Sequence, residues 1–200
     1  MSARCRRRKR TDKHRVVFFC VLLLIFAGIG LLWSESCRFS RIVISMQELD
    51  GHINRAAAKY GLDPELVKAL IWRESRFDPN AVGKSGEIGL MQLVPAGSPG
   101  AVAEWSRITG APPPSRRRLF EVETNLDIGC WYLADAMHQF SNYRCGTELA
   151  LAAYNAGMSR AKRWKPETAD GEVLDRIDIA STRNYVKFIM QRYCRNQRKK

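Results

Sequence analysis

From Met46 onward, apolar residues recur with the three- and four-residue step of a helix, and the two-residue alternation of a strand is almost absent. Residues 46–60 read as a first helix, stopped by Gly61, which adopts the left-handed conformation that ends helices at little cost. Leu62-Asp63-Pro64 then opens a second, with Asp63 as N-cap and Pro64 at the first helical position. This helix is expected to run to about Arg76, with Val67, Leu70 and Ile71 on one apolar stripe. Residues 77–94 hold Asp-Pro, Gly-Lys-Ser-Gly and only short apolar runs, which predicts irregular chain with a short hairpin. Residues 95–118 are rich in Pro, Gly and Arg, with one short helical piece near 102–108. A helix is expected from about Thr124, its buried stripe being Leu126, Cys130, Leu133, Met137 and Phe140. Thr147 is expected to cap another that ends at Gly157. The last helix, about 182–194, carries Tyr185, Phe188, Ile189 and Tyr193. No run of long strands is visible, so the fold class is mostly α, one helical domain over residues 46–194.

Ahead of that domain the pattern changes. Residues 16–33 contain no charge in 18 positions. As a helix they would span roughly 27 Å, close to the thickness of a bilayer's hydrocarbon core. Residues 1–15 carry eight Lys/Arg and one Asp, a block that should stay cytoplasmic and send the remainder outward. An uncleaved transmembrane signal anchor in the inner (cytoplasmic) membrane is the preferred reading. Cleavage is the first alternative, with Gly28-Ile29-Gly30 and Ser34-Glu35-Ser36 as weak candidate sites. Lipidation at Cys37 is the second, though Ser34 stands where a lipoprotein needs an apolar residue. Residues 34–45 form a short connector, so the domain is expected to work close to the membrane on its extracytoplasmic side.

The formal net charge of +13 changes meaning once it is located. The first fifteen residues hold +7 and the last ten hold +5, leaving +1 for everything between. A near-neutral body with basic tails, 195–200 being the second of them, argues against nucleic acid as a partner.

Of six cysteines, Cys37, Cys130, Cys145 and Cys194 would lie outside the membrane, where disulfides persist. Cys130 with Cys145 is the expected pair, bracketing a helix and the next turn, with Cys37 and Cys194 tying the ends of the module. No C-x-x-C occurs and there are three histidines, so neither a metal nor any other cofactor is expected. Gly83-Lys84-Ser85 lacks the first glycine of a phosphate loop, Asp78 standing in its place.

The candidate chemistry centres on Glu74. It continues the stripe of Val67, Leu70 and Ile71 at the i+7 position, which aims a carboxylate along the face expected to be buried. Burial disfavours the charged form, as a general acid at neutral pH requires. Stripe geometry alone leaves equal room for an exposed helix-end Glu paired with Arg73 or Arg76.

Three separated motifs weigh on that choice: E-S-R-F-D-P-N-A-V-G-K-S-G-E-I-G-L-M-Q-L-V-P at 74–95, A-L-A-A-Y-N-A-G at 150–157 and T-R-N-Y-V at 182–186. With A-A-K-Y-G-L-D-P at 57–64 and E-T-N-L-D-I-G-C-W-Y-L at 123–133, they resemble the SLT-type lytic transglycosylases, relatives of goose-type lysozymes. The resemblance implies a lysozyme-like α domain acting on peptidoglycan glycan strands, with Glu74 as catalytic acid and then base. It implies substrate-binding roles for Ser75, Gly89, Met91, Gln92, Tyr154, Asn155 and Tyr185, with Leu90 also lining the cleft. It implies no metal. It also allows service in an envelope-spanning secretion or conjugation complex.

Three departures from the family pattern stand out: Gly83 where Ser is usual, Val94 where Met is common, and Ser181 where Glu precedes the T-R-x-Y segment. Glu87 also occupies a position that is usually small and apolar. Ordinary glycosidases set two carboxylates across the bond. Here Asp78, next to Pro79, reads as a turn residue, and neither it nor Glu87 is the expected partner. One carboxylate suits the lyase-like route implied by the family, in which the substrate's acetamido group stabilises the developing cation and the product is a 1,6-anhydro ring. The rival readings are a goose-type-like hydrolase and a non-catalytic glycan-binding subunit. Among the aromatic residues, Trp131 is expected to pack beside the Leu126–Phe140 stripe, and Trp105 is the candidate for the cleft.

Overall fold

The computed structural model describes residues 44–198. The basic N-terminal tail, the apolar run 16–33, most of the connector and Cys37 lie outside them. Among the described residues no helix is long and apolar enough to cross a membrane.

Seven α-helices carry the described chain: α1 (Met46–Lys59), α2 (Pro64–Ser75), α3 (Ala101–Thr109), α4 (Val122–Gln139), α5 (Gly146–Ala156), α6 (Met158–Trp164) and α7 (Ala180–Gln197). Short 3₁₀ turns at Arg118–Phe120 and Leu174–Arg176 precede α4 and α7. There are no strands among the described residues. Isolated antiparallel bridges join Val82 to Ile88 and Ile88 to Leu93, a remnant of the hairpin expected there.

The start of α1 is fixed by a capping box, Ser45 accepting from the Glu48 N–H while the Glu48 carboxylate accepts from the Ser45 N–H. Its buried residues, Leu49, Ile53 and Ala57, step by four. Past Gly61 (φ 66°) the Leu62 N–H turns back to the Ala57 carbonyl at 2.9 Å and closes the helix. Asp63 then caps α2, accepting from the Glu65 N–H at 2.8 Å, with Pro64 at the first position. The same Asp63 carboxylate accepts from Tyr193 Oη at 2.9 Å and from the Gln197 amide, which ties the end of α7 to the start of α2. That tie carries α7 three residues past Cys194.

Helix α4 is the centre, packed against α1, α3 and α5. Its stripe of Leu126, Cys130, Leu133 and Phe140 is buried and Met137 half-buried, while Ile128, Gly129, Tyr132 and Ala136 bury a further face. A helix covered on so many sides loses the one-sided amphipathic signal of a surface helix. Trp131 packs against the core from a half-buried position, and so does Trp105 on α3.

Three expectations need correction. Thr147 is not a cap: α5 begins at Gly146, and no side chain caps it. The start is set instead by a close backbone approach, since a Cβ on Gly146 would stand 2.5 Å from the Phe140 carbonyl oxygen. The chain does stop helically at Gly157 (φ 89°), but it restarts at once as α6, which buries Ala161 and Trp164 and was not foreseen. The Cys130–Cys145 disulfide is not formed. Both thiols are free and buried, and Cys130 Sγ lies 4.0 Å from Met91 Sδ, facing the 77–94 segment. Burial pushes the Cys130 thiol up to about 12, which leaves it unreactive. Cys194 is a free, exposed thiol.

Candidate active site

Glu74 sits on the last turn of α2, one turn beyond Leu70 and Ile71. Val67, Leu70 and Ile71 are fully buried, so the helix is clamped by its apolar face and carries Glu74 inward with it. Glu74 itself is half-buried. Burial raises its pKa from the ordinary 4.5 to about 7. A hydrogen bond from Tyr185 Oη to Glu74 Oε1 and the Arg73 guanidinium pull the other way, and the charge of Glu87 adds to the rise. Near neutrality Glu74 therefore exchanges its proton readily in either direction.

Tyr185 comes from α7, fully enclosed, with the Arg73 guanidinium 5.4 Å from its ring centroid. Ser75, the neighbour of Glu74, is half-buried and donates its hydroxyl back to the Ile71 carbonyl at 3.2 Å. Immediately beyond, Arg76 (φ 55°) and Phe77 (φ 67°) turn the chain in the left-handed region. The remaining non-glycine residue with positive φ among those described is Gln92, at 49°. All three flank Glu74 or the loop facing it, and such strain persists only where the surroundings over-determine it.

The turn that leads into Gln92 is held from α4. Asn125, buried among apolar residues, accepts from the Met91 N–H at 2.8 Å and donates to the carbonyls of Ile88 (2.9 Å) and Leu119 (2.8 Å). One side chain thereby fixes both ends of the Ile88–Met91 turn. Gly89 (φ 76°) makes the approach possible, because a Cβ there would collide with the Asn125 amide and stand 3.0 Å from the Leu119 carbonyl. Met91 sends its side chain into the core, where a Cβ on Gly129 would strike it. Its carbonyl accepts from Tyr154 Oη at 2.9 Å. Leu90 is buried.

Gln92, left half-exposed by this turn, donates its amide to the Gly89 carbonyl at 2.9 Å. Its Oε1 faces Gly83. Tyr154 stacks edge-on against Tyr132, 5.6 Å between centroids. Burial and the nearby charge of Glu74 hold its phenol well above the usual range. Asn155 is exposed, its side-chain Oδ1 accepting from Thr182 Oγ1 at 2.8 Å, so α5 and α7 meet beside the site. Gln92, Tyr154 and Asn155 open onto a groove of about 840 Å³, whose walls include Glu104, Asp135 and Arg160.

The sequence reading thus placed Glu74, Tyr185, Tyr154, Asn155 and Gln92 around one region, and gave Asn125 and Thr182 no role. Asn125 carried one signal: a buried Asn in the apolar register one residue before Leu126. Ser181 is exposed at the start of α7, and Val94 lines the groove.

An α-helical domain with a carboxylate at the end of a buried helix, hydrogen-bonded to a tyrosine from another helix, fits a lysozyme-like class of folds. Within that class, the family described as "Transglycosylase SLT domain" matches residues 51–175, and the chain belongs to this family. It is 34% identical over 146 residues to "Membrane-bound lytic murein transglycosylase C" of Photorhabdus laumondii, a match covering 68% of this chain and 40% of that protein. It is also 34% identical over 127 residues to "Soluble lytic murein transglycosylase" of Escherichia coli K12, covering 61% of this chain and 19% of that one. The chain thus spans well under half the length of these relatives. Among solved structures, the lytic transglycosylase Slt of Pseudomonas aeruginosa, in an inactive variant with Glu replaced by Gln, matches with TM-score 0.60 and 30% identity. That match covers 76% of this chain and 24% of Slt. The 70 kDa soluble lytic transglycosylase of Escherichia coli matches with TM-score 0.61 and 26% identity, over 76% of this chain and 24% of that one.

Proposed function

We propose that this protein is a peptidoglycan lytic transglycosylase in which Glu74 acts twice. Protonated Glu74 gives its proton to the glycosidic oxygen between N-acetylmuramic acid and N-acetylglucosamine, and the C1–O4 bond breaks. The substrate's acetamido group steadies the charge at C1. The Glu74 carboxylate then takes the proton of the C6 hydroxyl as O6 bonds to C1, which leaves a 1,6-anhydro end and restores the acid without water. A carboxyl carried to the end of a buried apolar helix and hydrogen-bonded by Tyr185 Oη serves both half-steps, and this geometry is the observation that carries the reading, with burial raising the pKa to about 7. The Tyr185 hydrogen bond steadies the anion between them. Gln92, Tyr154 and Asn155 are the residues assigned to the sugar, with Gly89, Ser75 and the Met91 backbone shaping its bed.

The names of the relatives support the substrate, and the inactive Glu-to-Gln Slt supports a single decisive carboxylate. Residues 16–33, outside the described part, are assigned as a single-pass inner-membrane anchor that keeps the domain at the extracytoplasmic face, within reach of the wall. A local task there, opening the wall for a secretion or conjugation complex, fits a compact tethered enzyme. The test is Glu74→Gln in the full chain. Release of muropeptides from purified peptidoglycan is expected to fall by at least about 10²–10⁴-fold while the fold and glycan binding persist. A variant that still cleaves at the wild-type rate sinks the assignment.

A further inference from the structure

Helix α6 leaves α5 without a linker. Gly157 (φ 89°) ends one and starts the other, so α6 departs directly beside Tyr154 and Asn155. Ala161 and Trp164, three residues apart, bury one face of α6, and Trp164 Nε1 pins it by donating to the Asp178 carboxylate at 2.9 Å. The residues one step earlier, Arg160 and Arg163, share the adjoining face, and both line the groove onto which Gln92, Tyr154 and Asn155 open. Lys162 lies between them in sequence, exposed and outside the walls of that groove. Neither guanidinium is neutralised. Each donates to a carbonyl four residues back, Arg160 to Ala156 at 3.1 Å and Arg163 to Ser159 at 3.4 Å, and neither has an acidic partner among the described ion pairs. The acidic side chains of the same groove are engaged elsewhere, Glu104 by Arg107 and Asp135 by the Gln139 amide at 2.8 Å.

We propose that Arg160 and Arg163 form a carboxylate subsite for the peptide stem borne by the muramic residue, so that the enzyme favours stem-bearing strands over stripped ones. The inference rests on the peptidoglycan reading above. Uncharged amino-sugar rings are met by neutral groups such as Gln92 and Asn155, and they give no reason for two cations in the wall. The charges of a glycan strand lie off its rings, on the lactyl arm of N-acetylmuramic acid. A bare arm carries one carboxylate close to the sugar, whereas an arm extended by a peptide carries its carboxylates farther out. A guanidinium presents a planar fork of donors that matches a carboxylate. Two such forks, one helical turn apart on an exposed face, suit an extended peptide better than a single anion held against the ring.

The competing account is a solvated basic helix that attracts any anionic strand. Lys162→Gln separates the two, since it removes the same charge from the same helix at a position outside the groove. The experiment measures kcat/KM of the full chain in detergent micelles on two soluble substrates. One is glycan strands freed of cross-links and still carrying their stems; the other is the same strands stripped by an amidase to bare lactyl carboxylates. The wild type is expected to favour the stem-bearing strands. The double variant Arg160→Gln/Arg163→Gln is expected to lower that preference by about tenfold. Both side chains are exposed, so the fold survives. Lys162→Gln is expected to keep the wild-type preference. A wild type without preference, a preference that survives in the double variant, or one lost equally in Lys162→Gln would overturn the proposal. Absence of 1,6-anhydro ends from both substrates would instead overturn the function on which it rests, so the two failures are distinguishable.

Discussion

Helix α2 and the 77–94 loop that succeeds it meet at Glu74, and they are held in place by opposite means. Helix α2 is positioned mainly by area: Leu66, Val67, Ala69, Leu70 and Ile71 are all buried, and the polar contacts of its middle are those of Lys68 with Glu65 and with Asp50 of α1, both at 3.4 Å. The loop has little regular structure of its own, and direction fixes it: two hydrogen bonds with Asn125, one from Tyr154 and a glycine where a Cβ would collide. Apolar burial is tolerant of small shifts in orientation, so it suits the rod that delivers the acid. Hydrogen bonds are not, and they suit the wall that must meet a sugar.

Substitutions should separate the two modes. Leu70→Ala strips apolar volume from a fully enclosed position and should cost about 2–5 kcal/mol of stability. Below its melting temperature the variant should retain near-normal cleavage, because the loop wall is untouched; urea unfolding beside an activity assay checks both. Asn125→Ala should cost less, about 2–3 kcal/mol, since it strands the Met91 N–H and the Leu119 carbonyl inside the core, while the Ile88 carbonyl keeps the Leu93 N–H. Its activity should fall more than that of Leu70→Ala, because the Ile88–Met91 turn loses its anchor. If both variants lose activity in proportion to stability alone, the distinction between rod and wall is wrong.

The smallest expected effect is on proton affinity. Tyr185→Phe removes the hydrogen bond that favours the Glu74 carboxylate. Glu74 then holds its proton to higher pH, so the alkaline limb of the pH–rate profile moves up. A limb that moves down, or stays, would mean that Tyr185 serves only to pack.

The same two modes explain what the sequence made legible. The α2 stripe, the Asp63–Pro64 start and the Gly61 stop arise from periodicity and capping, which are local, and the structure has each of them. Glu74 could be singled out because it extends that stripe. The loop was readable only as irregular. Its order comes from Asn125, 34 residues beyond Met91, and no local pattern encodes a contact of that range. The cysteine pairing failed for a related reason. Bracketing a helix and the next turn suggested Cys130 with Cys145, but the side of α4 that bears Cys130 faces Met91. Helix α6 was missed because Gly157 ends one helix and begins another without a linker, and a stop signal carries no information about the residues beyond it.

The most direct test of the one-carboxylate, two-step role of Glu74 is mass spectrometry of purified peptidoglycan digested by the full-length wild-type protein. The account predicts 1,6-anhydro-muropeptides as the dominant new ends. Muropeptides with reducing ends would contradict it, because they require a water that the proposed return of the proton to Glu74 leaves no place for.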